Sequence, residues 1–208
     1  MMQARLFLIP LLLLSSALAS AAETKLGLFL QGMRIGEASY TSRSGTLNGR
    51  ELTRGDSVTT ISTGMLGTAM TIEIKSTSWV EKGGRPVEMT FETRSGGRTQ
   101  TVNAKFGATH ADVTVNAGGA TSTKRLEIPK GAPIVDDPLS LVLNEGPNVK
   151  KEFFVLRSDT VDFVKNEVVM RGKSPVTVHD KTVQATLVEI IDPTATLRLF
   201  IDGKGELI

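Results

Sequence analysis

The chain has 208 residues, 24 basic and 22 acidic side chains, a formal net charge of +2 and no cysteine. Charges of both signs are interspersed, and no basic stripe with stacking aromatics exists, which argues against nucleic-acid binding. The missing cysteine excludes disulfides, thiol redox chemistry, Cys-zinc sites and a Cys nucleophile.

The first predicted element is an export signal. Arg5 is the only charge before an apolar run, Leu6 to Leu14, broken once by Pro10. Small residues follow: Ser15, Ser16, Ala17, Ala19, Ser20 and Ala21. This is the n-region, h-region and cleavage site of a secretory signal peptide. Cleavage after Ala19 or after Ala21 fits the small-x-small spacing. We take residues 1–21 as the leader and 22–208 as a single antiparallel β domain. The apolar run is shorter than the ~20 residues of a bilayer span. No cysteine follows it to carry a lipid, and no later segment is apolar enough to span. The expected location is therefore the periplasm or the medium, with no transmembrane segment after signal removal.

The mature chain reads as short strands separated by glycine turns. Met70, Ile72 and Ile74 alternate with Thr71, Glu73 and Lys75. Val87, Met89 and Phe91 alternate with Glu88, Thr90 and Glu92, between the turns Lys82-Gly83-Gly84 and Ser95-Gly96-Gly97. A period of two marks a half-buried strand, and glycine supplies the positive φ of hairpin turns. Val113 and Val115 flank Thr114 before Asn116-Ala117-Gly118-Gly119, and Leu126 and Ile128 flank Glu127. Residues Ile128 to Pro133 form a proline-rich linker. Asp136-Asp137-Pro138 then opens one short helix near 138–145, with Asp137 as N-cap, Pro138 in the first turn and Gly146-Pro147 as the stop. Val183 to Ile191 is apolar on both faces and predicts a central, doubly covered strand. Leu197, Leu199 and Ile201 form the last alternation before the turn Asp202-Gly203-Lys204-Gly205. Regular strands with glycine turns and no βαβ rhythm predict an all-β fold. The architecture expected is a strongly curved antiparallel sheet, a half-barrel or barrel-like meander, carrying that one short helix.

The residues that could carry chemistry each have a plainer explanation. His110 and Asp112 share a strand face, but no third metal ligand can be named. His179-Asp180 lies in a polar turn. Ser57, Ser62, Ser76 and Ser78 read as solvated strand positions, and no Gly-x-Ser-x-Gly elbow activates any of them. Asp136-Asp137 is the only adjacent acidic pair, and capping explains it better than glycosidic acid–base work. Arg54-Gly55-Asp56 reads as a charged turn. Trp79 is expected to be a core residue of the second face, with a binding-surface aromatic as the alternative. Phe153-Phe154 and Phe163-Val164 put apolar groups on both faces of their strands, as a sheet lining a cavity would. No phosphate loop, EF-hand loop or Asn-x-Ser/Thr sequon appears. No catalytic, cofactor-binding or metal residue is assigned, no cofactor is expected, and any ligand-binding residues stay open.

Three stretches carry a family resemblance: Gly32-Met33-Arg34-Ile35-Gly36 after an opening strand, the short Pro138-initiated helix ending in Asn144-Glu145-Gly146, and the closing Phe200-Ile201-Asp202-Gly203-Lys204-Gly205-Glu206-Leu207. With them the layout resembles a group of exported bacterial β-domains of unknown function, some of which precede transglutaminase-like cores. That group is similar in shape to periplasmic lipoprotein carriers, whose curved sheet wraps a hydrophobic cavity. The resemblance implies an apolar, lipid or acyl ligand. Ending at Ile208, the chain is expected to lack the transglutaminase-like core, so no Cys-His-Asp catalysis carries over. It also lacks the longer helices that a carrier uses as a lid.

The function expected is thus an exported, non-enzymatic binding or accessory protein holding an apolar ligand in the curved sheet. The alternatives are a protein-interaction domain of the cell envelope and a hydrolase whose triad or metal site leaves no motif.

Overall fold

The computed structural model describes residues 23–30, 33–65, 68–178, 180–203 and 207–208. The expected leader and both cleavage positions lie outside these residues, as does His179. Among the described residues twelve strands form: β1 (Thr24–Leu30), β2 (Met33–Leu47), β3 (Arg50–Met65), β4 (Thr68–Val80), β5 (Pro86–Ser95), β6 (Arg98–Phe106), β7 (His110–Ala117), β8 (Ala120–Glu127), β9 (Lys150–Arg157), β10 (Asp162–Val178), β11 (Lys181–Asp192) and β12 (Ala195–Ile201). The predicted alternations around 72, 89, 114 and 199 fall inside strands, Val183 to Ile191 lies within β11, and of the pair Leu126 and Ile128 only Leu126 is in a strand, since β8 ends at Glu127.

The strands make two antiparallel sheets. The first is an eight-stranded meander in sequence order, β1 to β8. The second has the order β12-β11-β10-β9. Two-residue turns fix the hairpin registers. Ser95 pairs with Arg98 across Gly96-Gly97, and Ala117 with Ala120 across Gly118-Gly119. All four glycines have positive φ, the geometry that matches the twist of the flanking strands.

Neither sheet is closed or strongly curled, and β8 does not pair back to β1. This corrects the half-barrel expectation while keeping the all-β, antiparallel class. The reason lies in what covers the first sheet's inner face. Met89, Phe91, Val102, Ala104, Ala111, Val113 and Leu126 pack with Leu156 of β9, and Val161 of the β9–β10 turn and Phe163 of β10 join them. Phe106 and Phe163 meet at 6.3 Å between ring centroids. The first sheet therefore buries its apolar face against a second layer instead of curling onto itself. A second cluster, including Phe153, Val168, Val188, Ile190, Leu199 and Ile201, fills the other sheet's inner face, with Leu26 of β1 packed against it.

The expected helix is also corrected. Only a single 3-10 turn forms, Pro138–Leu141. The capping is as expected: the Leu139 amide donates to Asp137 Oδ1 at 3.0 Å. The tighter turn follows from packing. A 3-10 turn brings positions three apart onto one line, and Leu139 and Val142 are both fully buried in the second sheet's cluster.

The central position of β11 is as predicted, between β10 and β12. Its double apolar cover is not. Val183 is exposed, and Glu189, held by Arg171 at 2.7 Å and Arg198 at 3.1 Å, occupies the second face. Among the described residues no helix is long and apolar enough to cross a membrane.

Candidate functional site

The linker between the sheets creates a hollow. Pro129 and Pro133 have no amide to donate, so this stretch cannot continue as a ladder strand. It arches instead and is caught again at β9, where Phe154 N donates to Pro133 O at 2.8 Å and Val135 N donates to Phe154 O at 3.3 Å. Under the arch lies a pocket of about 230 Å³. Pro86, Phe106, Ile128, Pro133, Ile134 and Val135 give it an apolar wall, and Arg85 is the charged residue in its lining. The turn before β5 sets the Arg85 backbone: Glu81 N donates to Arg85 O at 2.9 Å. Arg85 Nη2 donates to Gly107 O at 2.5 Å.

Beside the arch, the first sheet carries a buried polar seam. Tyr40, Gly55, Ser57, Ser76 and Ser78 all face inward from β2, β3 and β4. This corrects the reading of three serines as solvated; Ser62 alone of the four is exposed. Ser57 and Ser76 are cross-strand partners whose hydroxyls share a 2.8 Å hydrogen bond. A Cβ on Gly55 would lie 2.9 Å from both Tyr40 Oη and Ser78 Oγ, so these groups occupy the space that glycine leaves.

Asp136 of the linker reaches this seam. The Ser78 hydroxyl donates to Asp136 Oδ2, while Oδ1 has no hydrogen-bond partner. Burial pushes the Asp136 carboxyl up to about 7, against the Ser78 hydrogen bond, and the neighbouring Asp137 adds to the rise. The same burial, with Asp136 close by, holds the Tyr40 phenol above its ordinary value. Asp136-Asp137 thus divides its labour: Asp137 caps the turn, and Asp136 pins the linker to β4. Neither faces solvent, so the pair does not have the open geometry of glycosidic acid–base work.

The other predicted positions are dispersed. His110 Nε2 stands 3.7 Å from Asp112 Oδ2, and Arg125 holds the same carboxylate at 2.7 Å. The Arg125 hydrogen bond keeps Asp112 below its usual range. Among the described residues no group of three His, Cys, Asp or Glu could hold a metal ion. Arg54 and Asp56 lie within β3 rather than in a turn; their ion pair of 2.8 Å runs along one strand face, which corrects the charged-turn reading. Trp79 is half-buried on the outer face, with the Arg54 guanidinium 5.6 Å from its ring centroid and Gly45 beneath it. It belongs to neither core cluster. Phe153 is core, and Phe163 packs between the sheets. Arg85 belongs to no motif of the sequence, and the inward serines, expected to be solvated, are buried.

No family model matches the chain, and no curated protein matches it. A solved structure that does is the beta-barrel-like protein of domain of unknown function DUF1849 from Brucella abortus. It superposes with a TM-score of 0.53 at 13% identity, over 83% of this chain and 79% of that one. The likeness is one of fold: an all-β domain similar to a barrel-like domain of unknown function.

Proposed function

We propose that this is an exported, non-catalytic binding or accessory protein that takes a short apolar group into the pocket beneath the linker. The observation that carries the reading is the pocket itself, about 230 Å³ and walled by proline, phenylalanine and aliphatic side chains. Such a site binds by removing CH₂ groups from water, about 0.8 kcal/mol each, and needs no catalytic motif. The ligand sits under the arch and not on the inner face of β5 to β8, because Leu156 and Phe163 fill that face. The leader of residues 1–21 supports export.

The test is mass spectrometry of an organic extract from protein purified out of its native envelope, paired with ligand-observed NMR using 1-octanol. A stoichiometric apolar compound, or saturable octanol binding lost in Ala108→Trp, supports the reading. No co-purified compound together with no octanol binding overturns it.

A second reading, an interaction domain of the envelope, is favoured by β8. It is an edge strand of the first sheet, as β1 is at the other end, and every residue in it except Leu126 is exposed. An open edge of this kind can accept a partner strand, although Lys124 and Arg125 charge it. Crosslinking from β8 that captures one dominant envelope protein supports this reading; a scatter of unrelated products sinks it.

A further inference from the structure

We propose that the pocket selects an apolar monocarboxylate, with the acid group on Arg85 and the chain under the linker; this rests on the apolar-pocket reading above. Among the described residues Arg85 makes no ion pair; it is exposed, and its side chain donates to a backbone carbonyl, Gly107 O. A guanidinium has five N–H groups in a planar fork, so most of its donors are left for a second acceptor. A carboxylate matches that fork with two parallel hydrogen bonds.

The acids around the pocket do not compete for Arg85. Glu81, in the same turn, is held by Arg50 at 2.6 Å. Asp112 is held by Arg125. Glu88, early in β5, stands 3.8 Å from Lys105. Glu127 is exposed at the end of β8, opposite His110 in the register. Asp136, next to the lining residue Val135, turns its carboxyl to Ser78 and keeps its proton up to about pH 7. Lys82 precedes the lining residue Gly83, and Lys130 lies between the lining residues Ile128 and Ala132; both are exposed.

The volume limits the chain. A pocket of about 230 Å³ has room for about eight atoms at ~30 Å³ each, the share of a water molecule in the liquid. That suits six to eight heavy atoms within the pocket; octanoate, with ten, places its carboxylate and most of its chain inside and passes the rest out through the mouth.

The test uses the full mature chain and titrates sodium octanoate and 1-octanol, each below its aggregation limit, by ligand-observed NMR. Octanoate is expected to bind about tenfold more tightly than octanol, the gain of a charge-assisted hydrogen bond. Raising the salt concentration weakens octanoate and leaves octanol unchanged. Arg85→Leu, with an unchanged amide spectrum elsewhere, brings octanoate down to the level of octanol, and Arg85→Lys recovers part of the difference. Equal affinity for the two probes in the wild type overturns the carboxylate proposal while the apolar pocket stands. Octanoate binding undiminished in Arg85→Leu also overturns it. Binding of neither probe removes the pocket reading as well. Because the wild-type comparison needs no variant, a misfolded Arg85→Leu does not rescue the proposal.

Discussion

Ser78, on β4, donates its hydroxyl to the carboxylate of Asp136, 58 residues later in the linker, and both side chains are buried. This contact joins the first sheet to the segment that leads into the second. It places an ionisable group in the interior with one of its two oxygens unpartnered.

That group makes stability depend on pH. The Asp136 carboxyl is held at about 7 in the fold against 3.8 in a free chain. Between those values the unfolded chain has lost its proton and the folded chain has kept it, so stability falls as pH rises from about 4 to 7 and levels off above. The contribution of this group is about 4 kcal/mol over the window. Ser78, Asp137 and Tyr40 are the polar groups around it, and none supplies a positive charge. Asp136→Asn, neutral at every pH, is expected to be more stable than the wild type at pH 8 and to flatten the profile between pH 5 and 8. Urea titrations at several pH values measure this; an Asn variant that keeps the wild-type slope sinks the assignment.

The Ser57–Ser76 pair gives a cleaner measure of the seam. Each hydroxyl is buried and the two satisfy one another. Ser57→Ala strands the Ser76 hydroxyl and is expected to cost about 1–3 kcal/mol. The double variant Ser57→Ala, Ser76→Ala removes both polar groups and recovers most of that loss. A double-mutant cycle by chemical denaturation reads the coupling; strict additivity would show that the two hydroxyls do not depend on each other.

Gly55 tests the close approach of Tyr40. Gly55→Ala puts a methyl group 2.9 Å from two buried side-chain oxygens and is expected to destabilise by about 1–3 kcal/mol through overpacking. Adding Tyr40→Phe to Gly55→Ala removes one of the two clashing oxygens and is expected to restore part of the loss. Thermal melts of the single and double variants decide it.

Leu156 tests the docking of the two sheets. It comes from β9, is fully buried, and packs among Met89, Phe91, Val102 and Val113 of the first sheet. Leu156→Ala is expected to cost about 2–5 kcal/mol and to loosen both sheets together. Hydrogen exchange in which β5 to β7 keep wild-type protection would show that the sheets are stable independently of this contact.

Much of the fold was legible because alternation is a direct imprint of a two-sided sheet. Val87 to Phe91 and Leu197 to Ile201 needed only their own parity. The inward serines carried the same signal unread: the parity that turns Ile72 and Ile74 inward also turns Ser76 and Ser78 inward. Reading serine as a surface residue overrode the register. The curl of the first sheet was not legible, since it depends on which distant residues, here Leu156 and Phe163, occupy the inner face. The helix was half legible: Asp137 and Pro138 announced a helical start, but the burial of Leu139 and Val142, which favours the tighter turn, is a tertiary property. Arg85 gave no local sign, because its partner Gly107 and the arch over it come from later parts of the chain.

All strands of the first sheet precede all strands of the second, and each ladder joins strands adjacent in sequence. Every pairing therefore closes a short loop, where the entropic cost is small. In kinetic terms the molecule is two zippers on one tether. Each can grow hairpin by hairpin, and only their docking spans long stretches of chain. The hydrogen bond between Ser78 and Asp136 lies at that junction, so a probe placed there reports the arrival of the second half.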